Sequence, residues 1–104
     1  MIDPEIHRFL ATWDAGWASL PAGATPADRR AYFGVLAAEM RLPTPEYIET
    51  EAEHWVPCDA GDVRVRVFRH KGSVTQPCLI YMHGGAWMQG SPETHWDITS
   101  RIAS

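Results

Sequence analysis

The residues best suited to chemistry lie in one stretch, Leu79-Ile80-Tyr81-Met82-His83-Gly84-Gly85-Ala86-Trp87-Met88-Gln89-Gly90-Ser91. An apolar run of strand type enters His83-Gly84-Gly85, another glycine follows at Gly90, and Ser91-Pro92-Glu93 reads as the start of a helix. Adjacent glycines carry no Cβ, so the chain can turn sharply there and another molecule can come close to the backbone. Peptide N–H groups fixed in such a turn suit a developing negative charge, for example the oxyanion of a tetrahedral acyl-transfer intermediate.

Other chemistries fit the same residues less well. Ser91 has no flanking glycine pattern and no paired base, and reads as a helix N-cap. His83, His95 and Asp97 match no zinc spacing, since His83 precedes the turn and the other two fall inside an expected helix. Gly84-Gly85 with Gly90 is not GxGxxG, and no acid-tipped second strand follows, so neither a dinucleotide nor any other cofactor is expected. Cys58 and Cys78 fall in separate expected strands without CxxC or zinc spacing, and read as free thiols of a reducing cytoplasm.

Tyr81-Met82-His83-Gly84-Gly85-Ala86, followed by Gly90 and Thr94-His95, resembles the oxyanion-hole motif of the hormone-sensitive-lipase-like (α/β-hydrolase fold-3) carboxylesterases. Those enzymes carry a His-Gly-Gly-Gly loop after the third strand of the sheet. The resemblance implies that the amides of Gly85 and Ala86 are the oxyanion donors. It also implies that His83 and Gly84 shape the loop, and that His83 is not the catalytic base. Trp87 and Met88, just past the donors, are expected to line the substrate pocket, with Trp13 and Trp17 reaching it from an N-terminal cap. The chain departs from the family at two places. Ala86 stands for the third glycine, keeping the N–H but tolerating fewer backbone angles. Trp96 follows His95 where the family often has Asp, and the acid comes one place later, at Asp97. The family's Gly-x-Ser-x-Gly elbow is absent, and with it the acid and histidine that follow it in chain order, so the resemblance covers the family's N-terminal portion only.

The elements that must position this stretch are legible from their punctuation. Asp3-Pro4-Glu5 starts a helix whose stripe is Ile6, Phe9, Leu10, Trp13 and Trp17, weakened at Gly16 and closed by Pro21-Ala22-Gly23. Thr25-Pro26-Ala27-Asp28 starts a second, with Phe33, Leu36, Ala37 and Met40 on its core face and Arg29 and Arg30 in solvent. Pro43 and Pro45 stop it, and 42–47 is an extended link. Glu51–Cys58 and Val63–Arg69 then read as two strands of a hairpin about the turn Asp59–Asp62, with the arginines of the Val-Arg alternation on the wet face. A polar loop, 71–77, leads into Cys78–Met82, which reads as a central strand covered on both faces. The last helix, about three turns from Ser91 with Trp96, Ile98 and Ile102 available for burial, shows no stop signal.

With 104 residues, 45% of them apolar, the chain is sized for one small domain or part of a larger one. A net charge of −4 gives no reason to expect nucleic acid or an anionic membrane as partner. No run approaches the roughly 18 apolar residues of a membrane span, and the acidic N-terminus is unlike a signal peptide, so a cytoplasmic protein is expected. The expected fold is α/β: residues 1–48 as cap helices and link, and 49–104 as the beginning of an α/β-hydrolase core, incomplete without its C-terminal part. The expected function is that of a serine ester hydrolase acting on small-molecule esters, to which this stretch supplies the oxyanion hole. The alternatives are a non-catalytic ester-binding or regulatory fragment, or a non-functional truncation, with self-association of the chain a further expectation.

Overall fold

The computed structural model describes residues 1–50, 53–72 and 75–104. Glu51 and Ala52, expected in the first strand, and Ser73 and Val74, expected in the polar loop, lie outside them. Helix α1 spans Pro4–Ala18, and Asp3 caps it by accepting from the Glu5 N–H at 2.7 Å. Helix α2 spans Pro26–Glu39 behind a reciprocal box: Thr25 Oγ1 accepts from the Asp28 N–H, and the Asp28 carboxylate from the Thr25 N–H. Both starts are where the cap residues place them, because a cap satisfies helix N–H groups that have no other partner.

The two helices pack through aromatic rings. Trp13 meets Phe33 edge-on at 5.6 Å and stacks on Phe9 at 5.9 Å, while Trp17 meets Tyr32 at 5.6 Å and Phe33 at 5.8 Å. Gly16 lies at the contact. A Cβ there would stand 2.7 Å from Leu36 Cδ1, and Leu36 is, with Ile48, one of the two buried apolar residues among those described. The Tyr32 hydroxyl crosses the same gap and donates to the Gly16 carbonyl.

The expected hairpin forms, in two short ladders. Strand β1 (Ile48–Thr50) pairs antiparallel with β4 (Phe68–His70), and β2 (His54–Val56) with β3 (Val63–Val65). The first arm therefore begins three residues earlier than expected and ends before Pro57, which has no N–H to contribute. Gly61, at φ 116°, closes the turn by donating to the Cys58 carbonyl at 3.0 Å.

Three expectations are corrected. The arginine face is the covered one: Arg64 and Arg66 are half-buried against the residues that precede the last helix, while Val63 and Val65 are exposed. Alternation says that two faces differ, and the partners available decide which is covered. Cys78–Met82 forms no strand. It runs extended and unpaired, with Ile80 83% and Met82 87% exposed, because no parallel neighbour is at hand among the described residues. The last helix, α3 (Trp96–Ile102), has seven residues instead of about three turns, and it buries Ser100 while Ile98 and Ile102 face outward. Beside the unpaired run, the Gln76 side-chain amide pairs with both backbone groups of His70, donating to its carbonyl at 2.7 Å and accepting from its N–H at 3.1 Å.

Candidate functional site: the glycine loop and its supports

Between the unpaired run and α3 the chain makes a left-handed turn. Ala86 has φ 53° and Trp87 φ 57°, and the Gly85 carbonyl accepts from the N–H of Met88 at 3.0 Å and of Gln89 at 3.1 Å. Each non-glycine residue held there costs roughly 1–2 kcal/mol. Glycine is required at two places. At Gly85, φ 140°, a Cβ would lie 1.8 Å from the Gln89 carbonyl oxygen; at Gly90, φ 97°, it would lie 2.7 Å from the Gly84 carbonyl oxygen and 2.8 Å from His83 Nδ1. Gly84 itself is in open space and has no positive φ. Among the described residues, no acceptor takes a hydrogen bond from the N–H of Gly85 or Ala86. The Met88 and Gln89 N–H groups are used inside the turn, while the Trp87 N–H, like those of Gly85 and Ala86, has no acceptor among the described residues.

The loop borders an open depression of about 400 Å³, lined by His83, Gly84–Gln89 and Arg30. Trp87 projects fully into solvent at its rim, and Met88 is 43% exposed. Trp13 and Trp17 do not line it. They belong to the α1–α2 contact, which reaches the site only through Phe33, 6.2 Å from the His95 ring. Arg30 is exposed, as expected, and in addition reaches from α2 to the loop, donating from Nε to the Met88 carbonyl at 2.9 Å.

His83 donates from Nδ1 to the Gly84 carbonyl at 2.9 Å, since a ring nitrogen facing a carbonyl must carry the hydrogen. Its ring stacks on His95 at 5.4 Å. The Thr94 hydroxyl gives its hydrogen to the Ser91 carbonyl, so His95 Nδ1, 2.9 Å away, donates to it. Burial holds the His95 ring below its ordinary pKa, with the backbone hydrogen bond at Ser91 opposing and His83 adding to the lowering. The two histidines are thus stacked on each other, each with its Nδ1 engaged beside the loop. Ser91 and Thr94 make a reciprocal box, Ser91 N–H to Thr94 Oγ1 at 2.9 Å and Thr94 N–H to Ser91 Oγ at 3.3 Å. Ser91 therefore has a capping type of bonding, although α3 proper begins only at Trp96.

Behind the loop, a charged cluster anchors the start of α3. Arg64 holds the Glu93 carboxylate with both terminal nitrogens at 2.6 Å and also donates to Glu53 at 2.6 Å, while Arg66 reaches Glu93 at 3.1 Å. The fork geometry of a bidentate guanidinium gives this contact both strength and a fixed direction. Arg64 in turn holds the Glu93 carboxyl down to about 2, against some opposition from burial. Arg41 and Arg66 lie over the Trp96 ring at 5.0 and 5.3 Å, each such contact worth about 0.5–1 kcal/mol. The link is fastened to the same point. Arg41 donates to the Glu93 carbonyl, the Leu42 N–H to the Asp97 carboxylate at 3.1 Å, and Trp96 Nε1 to Thr44 at 2.8 Å. Asp97 is thus an anchor for Leu42, as Trp96 is for Thr44. Neither the Arg30 bond nor the pairing of Arg64 and Arg66 with Glu93 was signalled by the sequence, because these contacts are made across 27 to 58 residues. Among the described residues, no group of three or more His, Cys, Asp or Glu is placed to hold a metal, and no helix is long and apolar enough to cross a membrane.

Of the curated proteins that resemble this chain, the carboxylic ester hydrolase LipN of Mycobacterium tuberculosis is 32% identical over 95 residues. Those residues are 90% of this chain and 25% of LipN, so the chain spans about a quarter of the relative's length. The similarity makes the chain a distant homologue of a carboxylic ester hydrolase, and its mixed helices and antiparallel strands are compatible with a piece of such an enzyme. No family model matches the chain. No solved structure matches it.

Proposed function

We propose that residues 1–104 are the N-terminal part of a serine carboxylic-ester hydrolase of the hormone-sensitive-lipase-like branch, and that they supply its oxyanion hole. A serine from the remainder of the enzyme attacks the carbonyl carbon of a small-molecule ester. The carbonyl oxygen takes up the electron pair as an oxyanion, and the N–H groups of Gly85 and Ala86 stabilise it until the alcohol leaves. Fixed donors of this kind need no reorganisation at the moment of reaction, and one is worth roughly 3 kcal/mol in comparable sites. His83 and Gly84 shape the loop, and Trp87 and Met88 border the acyl or alcohol pocket. The observation that supports this reading is the left-handed turn after His83-Gly84, which uses the N–H groups of Met88 and Gln89 internally and leaves those of Gly85 and Ala86, together with that of Trp87, without acceptors among the described residues.

Surface area supports the incompleteness. The accessible surface is 7898 Å², against about 5,900 Å² for a folded monomer of this mass. Part of the excess is the Cys78–Met82 run, whose apolar side chains would be covered by parallel strands of the full sheet.

The test is a pair of variants in the full-length enzyme. Ala86→Gly keeps the N–H and accepts the left-handed φ, and turnover of short-chain esters should stay within a few-fold of wild type. Ala86→Pro removes the N–H and forbids that φ, and kcat should fall by about 10²–10³. A folded Ala86→Pro enzyme with unchanged turnover would sink the assignment.

A further inference from the structure

Among the described residues, Arg30 is the one Arg, Lys, Asp or Glu that lines the depression beside the loop. It stands in the second turn of α2, and its Nε donates at 2.9 Å to the carbonyl of Met88, a bond that spans 58 residues. Met88 is also the residue whose N–H closes the turn on Gly85. Both backbone groups of Met88 are therefore engaged, one by the turn and one by α2. Ala86 and Trp87, between Gly85 and Met88, sit in a backbone region that non-glycine residues leave readily unless held. The helix that carries the guanidinium is itself fixed, at its start by the Thr25–Asp28 box and along its length by the aromatic packing on α1.

We propose that Arg30 is a positioning residue, a latch through which α2 holds the left-handed turn and so sets the direction of the Gly85 and Ala86 donors. Its catalytic consequence rests on the hydrolase reading above; its mechanical consequence does not. A shift of α2 would be transmitted to the Met88 carbonyl and, through one turn of backbone, to both donors. Helix and loop thus form one mechanical unit. Arginine suits the task because its Nε–H lies in a rigid plane, whereas the lysine ammonium is a compact, strongly hydrated charge.

The test uses the full-length protein with Arg30→Met and Arg30→Lys, read by hydrogen exchange and by ester hydrolysis. In Arg30→Met the amides of Met88 and Gln89 should exchange about tenfold faster, the size expected for losing one hydrogen bond from a charged donor. The Lys71 amide, bonded to Tyr47 in the hairpin, should not change. Arg30→Lys keeps charge and helix propensity, and should fall between wild type and Arg30→Met. With esters, kcat should drop about tenfold in Arg30→Met while KM stays within twofold. A purely structural role would instead speed exchange at Lys71 and at the loop together. Unchanged exchange at Met88 and Gln89 in both variants overturns the latch. Should the wild-type protein hydrolyse no ester, the hydrolase reading falls, and the exchange rates alone decide the latch.

Discussion

Gly85 has the least latitude of any residue in the loop, since a Cβ would stand 1.8 Å from the Gln89 carbonyl oxygen, whereas one on Gly84 would meet open space. Gly85→Ala should reduce turnover of the full-length enzyme at least a hundredfold, and Gly84→Ala should leave it within about threefold, both read by steady-state kinetics. The His-Gly-Gly motif marks where the turn is without separating its glycines, because a motif records residue types and the close approach comes from Gln89, four residues on. Glu93 and His95 make the site sensitive to acid, and in the same direction. The Glu93 carboxyl is held at about 2, below its ordinary 4.5, so its ion pairs contribute stability above 4.5 that is lost as pH falls toward 2. His95 is held below 6.5, so its neutral form favours the fold, and stability declines as pH drops below that value. Melting temperature should therefore fall in two stages on acidification, and Glu93→Gln should remove most of the lower one.

At the scale of elements, the α1–α2 pair was readable because its information is local. Caps lie next to the helices they start, and Trp13, Trp17 and Phe33 recur on the faces that meet. What their spacing hides is Gly16, which looks like a weak point in α1 and is in fact the place where Leu36 enters. Gly16→Val would improve nothing at this crossing. Its Cβ would lie 2.7 Å from Leu36 Cδ1, and the added methyls should cost about 1–3 kcal/mol, seen as a lower melting temperature. The hairpin was legible in its turn and arms but not in its orientation. Arg64 and Arg66 read as solvated until Glu93 and Trp96, nearly thirty residues later, are brought beneath them. The same distance explains α3, whose Ile98 and Ile102 look like a core face, yet Trp96 and Ser100 are the residues turned inward.

Over the whole molecule, the radius of gyration is 16.0 Å, against about 13 Å for a compact domain of this length. The chain is flattened, 47 × 41 × 21 Å, and among the described residues only Leu36 and Ile48 of the apolar ones are buried. Residues 1–104 produced alone should melt with low cooperativity and self-associate, read by calorimetry and light scattering. Joined to the C-terminal part that the proposed hydrolase would have, the same residues should melt as part of one cooperative unit. Cys78–Met82, read as a central strand, forms none for a related reason: a strand exists only when paired, and apolar composition at 78–82 shows an appetite for burial without naming the neighbour that satisfies it.

One edge of the hairpin is already managed. The Gln76 amide occupies both hydrogen-bonding groups of His70, on the side of β4 away from β1. A primary amide offers one carbonyl and one N–H, as a peptide does, so it stands in for a missing strand at one rung. Chance pairing with another chain is discouraged there, because a newcomer must first displace a bond as good as the one it brings. A strand arriving with neighbours of its own would gain further rungs and win that exchange. Gln76 thus acts as a place-holder, closing the edge to casual partners while leaving it open to an extended one.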